Sequence, residues 1–95
     1  MENIDVNFFS NKGKELIKNI KENISQEEFE HIFLNISLQE LRQTLYNNFK
    51  DNVILNDVIE KLEEIRNNNS EFFSECYLKF YFSVWEELLI IIYNS

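Results

Sequence analysis

The sequence predicts an all-α protein, a compact bundle of about five helices around a long, mostly apolar C-terminal helix. Three observations carry this expectation. Pro is absent and Gly occurs once, at Gly13, so the turn residues that fold strands into hairpins are missing. Two S-x-x-E helix-start signatures, Ser25 with Glu28 and Ser37 with Glu40, follow one another closely. The segment 71–93 gathers most of the aromatic residues and the only Trp into one uninterrupted run, in which Glu75, Lys79, Ser83 and Glu87 recur every four positions, as on a helix face. A strand demands alternation, which this run lacks, although YLKFYF and LLIII carry high strand propensity.

Taken in order, Ile4, Val6 and Phe8 alternate as in a strand, but Val6, Phe9, Gly13, Leu16, Ile17, Ile20 and Ile24 form a longer helical stripe. The first helix is therefore expected from about Asp5 or Ser10 to Asn23, with residues 1–9 open between the two readings. Gly13 inside it is either a weak point of about 1 kcal/mol relative to Ala or a place where another helix packs close. Ser25 then opens a short helix, with Ile24 and Phe29 as the hydrophobic staple that sets its entry angle. It is expected to bury Phe29, Ile32, Phe33 and Ile36 and to leave Leu34 facing solvent. Ser37 and Glu40, stapled by Ile36 and Leu41, open the next helix, from Leu38 to about Lys50, which presents Leu38, Leu41, Leu45 and Phe49 with Tyr46 at the edge.

Asp51 and Asn52 break the period. A fourth helix from about Val53 to Arg66 turns Leu55, Val58, Ile59, Leu62 and Ile65 inward, and Arg66, toward the apolar side, reads as a snorkelling side chain at a helix end. Asn67, Asn68 and Asn69 end it, since Asn tolerates the left-handed conformation, and Ser70 is placed to cap the last helix. So short a connection predicts that the fourth and fifth helices are antiparallel neighbours. Read as one helix, 71–93 rises ~35 Å and runs through the middle of the protein. Phe73, Tyr77, Phe80, Val84, Leu88 and Ile91 make its main stripe. Phe72, Phe82, Trp85, Leu89 and Ile92 widen the apolar surface on both flanks, which leaves the polar series as a narrow strip for water.

Ninety-five residues with a hydrophobic fraction of 44% are expected to form one helical domain, residues 1–95, with a sizeable core and no staples. The lone Cys76 reads as a small core residue, and a single thiol fits a reducing, cytoplasmic setting. The first residues lack the basic start and apolar run of a signal peptide, and Glu75, Lys79, Glu86 and Glu87 argue against a membrane span at 72–93. A net charge of -8 argues against direct nucleic-acid binding, which wants clustered Lys and Arg. The abundant Asn is what A/T-rich codons encode.

No catalytic residue, cofactor or metal is expected. Glu28-x-x-His31 matches the ligand spacing of di-iron helix bundles, but such a site needs a second Glu-x-x-His, and His31 is the only His. A solvated His beside helix-capping glutamates is the simpler reading. One Gly cannot build a phosphate loop, and no Ser, His and acid set stands out, so the chain is not expected to be an enzyme. Two surfaces remain. Asp57, Glu60 and Glu64 fall on one ridge of the fourth helix with Glu63 at its side, either a plain solvated face or a docking ridge for a basic protein. At the end of the last helix the run 88–93 covers almost the whole circumference, which predicts a homodimer through Leu89, Ile92 and Tyr93.

No motif ties the chain to a specific family. By type alone it is similar to bacteriocin and toxin immunity proteins and to phage anti-defence inhibitors, small acidic helical proteins of A/T-rich genomes. The leading expectation is a stoichiometric inhibitor that binds a basic protein surface. Its rival is a homo-oligomeric structural or regulatory subunit without catalytic activity.

Overall fold

A computed structural model describes residues 5–68 and 70–94. The readings that placed Ile4 in a strand and Asn69 at a helix end lie outside these residues. The described chain is all-α. Its order is α1 (Val6–Asn23), α2 (Gln26–Phe33), a 3-10 turn (Leu38–Glu40), α3 (Leu41–Phe49), α4 (Val53–Asn68), a second 3-10 turn (Ser70–Phe72) and α5 (Phe73–Tyr93). The bundle is elongated, 45 × 24 × 22 Å.

Local hydrogen bonds explain where most helices start. The Asp5 carboxylate accepts from the Asn7 N–H at 3.0 Å and opens α1 at the earlier of the two expected starts. Ser25 Oγ accepts from the Glu28 N–H at 3.1 Å. At Ser37 both halves of the capping box form: its Oγ accepts from the Glu40 N–H at 3.3 Å, and its own N–H donates to Glu40 Oε1 at 2.8 Å. Asn52 caps α4, with Oδ1 accepting from the N–H groups of Ile54 at 2.9 Å and Leu55 at 3.2 Å. Its amide also donates to Asn19 Oδ1 at 2.9 Å, which ties the start of α4 to α1.

The core gathers Phe9, Leu16, Ile17 and Ile20 from α1, Phe29 and Phe33 from α2, Leu41 and Leu45 from α3, Leu55, Val58, Leu62 and Ile65 from α4, and Cys76, Phe80, Tyr81, Val84 and Leu88 from α5. Phe33 links α2 to α3 by stacking on Phe49, 5.9 Å between ring centres. Ile32, Ile36, Phe49 and Ile59 pack against this core from its margin.

Three expectations are corrected. Leu38 is exposed: it opens the 3-10 turn ahead of α3, a full turn before Leu41, where this stretch first enters the core. Ser70 does not stand at the cap of α5: it begins a 3-10 turn, and Phe72 occupies the cap position with no side-chain hydrogen bond. As expected, α4 and α5 are neighbours joined through the short turn between them, although the principal neighbour of α5 is α1. Finally, the polar series on α5 is not a strip for water, because Ser83 and Glu87 are buried while Glu75 and Lys79 are exposed. The physical reason for this last correction sets the surface of the molecule.

Candidate interaction surfaces

Where α1 crosses α5, Gly13 meets Phe80 and Ser83 so closely that a Cβ on Gly13 would lie 2.8 Å from the Phe80 carbonyl oxygen and from both side-chain atoms of Ser83. Small residues on the two helices let their backbones approach. The Ser83 hydroxyl donates to the Ser10 carbonyl oxygen, so burying it leaves no unmet polar group. Glu87, one turn further on, buries its stem. Its carboxylate makes no hydrogen bond to the described residues, yet no buried side-chain oxygen or nitrogen among them lacks a partner, so the carboxylate keeps access to water.

Seating α1 on Ser83 turns the opposite side of α5 outward, and that side is apolar. Leu78 is 45% exposed, Phe82 52%, Leu89 36% and Tyr93 82%. Trp85 and Ile92 are partly buried beside them. One flank of the face is a groove shared with Ser10 and Lys14 of α1 and bordered by Glu75, Lys79 and Glu86. The other flank is a groove between Trp85, Leu89 and Ile92 and the Leu34–Ile36 connection after α2. The expected self-association residues Leu89, Ile92 and Tyr93 thus lie together at one end of a longer face. Leu78 and Phe82 complete it; the sequence pattern places Phe82 among the residues that widen the apolar surface of the helix on its flanks and gives Leu78 no place. Spacing carried the missing signal: 78, 82, 85, 89 and 92 alternate steps of four and three, as residues along a helix–helix seam do.

On α4, Asp57, Glu60, Glu63 and Glu64 are all exposed. Among the described residues the one ion pair is Lys12 with Glu15, at 3.3 Å on α1, so no cation of these residues neutralises the α4 carboxylates. Arg66 lies instead over the Phe73 ring, 5.8 Å from its centre, where the α4 end meets α5.

Glu28 and His31 sit exposed with Glu27 and Ser25, and no group of three or more metal-binding side chains occurs among the described residues. Burial, and secondarily the charge of Glu75, pushes the Cys76 thiol up, which keeps it protonated and a poor nucleophile. Burial likewise pushes Tyr81 well above the ordinary phenol range, with hydrogen bonding to Tyr46 adding to the shift, as suits a core hydroxyl. No helix of the described residues is long and apolar enough to cross a membrane.

No protein-family model matches the chain, and no curated protein or solved structure is significantly similar to it.

Proposed function

We propose that the chain acts by binding another protein, as a stoichiometric inhibitor directed at a basic surface and of the same type as immunity and anti-defence proteins. The supporting observation is the α4 ridge, where Asp57, Glu60, Glu63 and Glu64 are exposed together with no ion-pair partner among the described residues. Four free carboxylates on one rigid helix, in a chain of net charge -8, attract a basic partner over the screening length of ~8 Å at physiological ionic strength. Isolating a partner by co-purification and measuring association rates at two salt concentrations tests this reading. Reversing Glu60 and Glu64 to Lys is expected to slow association several-fold and to flatten its salt dependence, because rim charges act mainly on the encounter rate. Since both residues are exposed, the melting curve should stay close to the parent. A folded double variant that associates as fast as the parent removes the ridge from the mechanism.

A second reading, a self-associating structural or regulatory subunit, is favoured by one specific observation: Leu78, Phe82, Leu89 and Tyr93 are exposed on one face of α5.

A further inference from the structure

We propose that two copies of the chain pair through α5 in antiparallel orientation, about a two-fold axis passing between Ser83 and Val84, with each Lys79 facing the partner's Glu86. The proposal rests on the self-association reading and adds its geometry.

Leu78, Phe82, Trp85, Leu89 and Ile92 follow a four-three-four-three spacing along α5, the period at which one helix keeps a continuous contact with another while the two coil gently together. All five are exposed or partly buried, and they extend over ~21 Å of helix. Across the helix, Phe80, Val84 and Leu88 fill the protomer's own core. The helix therefore carries two apolar faces, and α1 covers only one of them.

Charge beside the seam selects a second copy and one register. Lys79 and Glu86 occupy the same position of successive heptads on one flank, are exposed, and have opposite sign. Antiparallel pairing about the stated axis sets Phe82 beside the partner's Trp85 and Leu78 beside the partner's Leu89. It also brings Lys79 within a turn of the partner's Glu86, and two-fold symmetry repeats that contact. Lys14 borders the same groove and adds positive charge where the partner's Glu86 arrives. At each end the Tyr93 hydroxyl comes near the partner's Glu75. Sliding the helices by one heptad puts Glu86 against the partner's Glu86 in one direction and Lys79 against the partner's Lys79 in the other, and both clashes are repulsive. Parallel pairing would set Lys79 and Glu86 against the flank of the partner's Tyr81 and Leu88, residues buried in their own core that offer no charge.

Area is consistent with a reversible dimer. Taking roughly 200 Å² for a fully exposed large side chain, the outward residues present on the order of 500 Å² per protomer. A two-fold contact then buries on the order of 1,000 Å² in all, near the lower bound for a specific interface. So small a contact is of the size found in weak, transient associations.

Sedimentation of the full chain, from micromolar to several hundred micromolar concentration, tests the pairing. The parent is expected to pass from monomer to dimer, and Phe82→Glu, at an exposed position, to remain monomeric with an unchanged circular-dichroism spectrum. Lys79→Glu and Glu86→Lys alone should each weaken dimerisation on the order of tenfold, because each sets like charges together twice, and the double exchange should recover most of the loss. A parent that stays monomeric throughout overturns both the pairing and the self-association reading. A dimer that Phe82→Glu disrupts but neither charge reversal weakens overturns this orientation and leaves self-association standing. A dimer indifferent to Phe82→Glu places the contact elsewhere and overturns the proposal.

Discussion

Replacing Gly13 by Ala probes the contact on which the surface of the molecule depends. The added methyl group would stand 2.8 Å from the Phe80 carbonyl oxygen and from Ser83 Cβ and Oγ, against ~3.5 to 4.0 Å for comfortable carbon contacts. The carbonyl belongs to a helix backbone and has no rotamer to adopt, and Ser83 is held by its bond to the Ser10 carbonyl, so α1 and α5 must move apart. Overpacking of this kind costs about 1 to 3 kcal/mol. Loosening the Ser83 hydrogen bond adds about 1 kcal/mol. The better helix propensity of Ala offsets about 1 kcal/mol. The balance is a destabilisation of about 1 to 3 kcal/mol, which lowers the melting temperature by roughly 4 to 8 °C per kcal/mol in a chain of this size. Thermal and urea melts followed by circular dichroism measure it. Placing Ser83→Gly in the same chain removes two of the three close contacts and should recover part of the loss. If Gly13→Ala instead proves as stable as the parent, α1 does not sit on this face of α5, and the outward exposure of Leu78 and Phe82 loses its cause.

Two further outcomes follow from the caps. Asn52→Ala removes the cap of α4 and its bond to Asn19 together, and is expected to cost about 1 to 2 kcal/mol in a urea titration, more than Ala at an exposed position such as Asn11, whose side chain makes no such bond; equal effects would deny Asn52 its double role. Accepting the Ser37 backbone N–H holds the Glu40 carboxyl below its ordinary value of 4.5, with the Ser37 hydroxyl adding to the effect. A depressed carboxylate stabilises the fold fully above the unfolded value and loses that contribution as pH falls through the lower folded one. The parent should therefore exceed Glu40→Gln in urea midpoint near neutrality and converge with it on acidification below about pH 4, whereas a difference independent of pH would contradict the capping role.

Helix starts were legible because their signals are local. Ser25 and Ser37 each bond a backbone N–H three residues away, so the sequence at 25–28 and 37–40 contains both partners. The stripes of α1 and α4 were legible for a related reason: each has one apolar face, and only one way of burying it exists. The winding of 38–40 was not, since a 3-10 turn and the first turn of an α-helix share the same capping box.

On α4 the sequence alone placed Asp57, Glu60, Glu63 and Glu64 away from the apolar stripe, and the structure leaves all four exposed. On α5 it gave a mostly apolar helix and assigned the polar series Glu75, Lys79, Ser83 and Glu87 to water. Polarity by itself pointed to Ser83 and Glu87 as the wet side. The tertiary structure decided otherwise, because close approach needs small residues rather than apolar ones. Gly13 on α1 and Ser83 on α5 let two backbones come together, the Ser10 carbonyl satisfies the buried hydroxyl, and the bulkier Leu78 and Phe82 are left outside. That choice joins residues some 70 positions apart, beyond the reach of any periodicity within one helix.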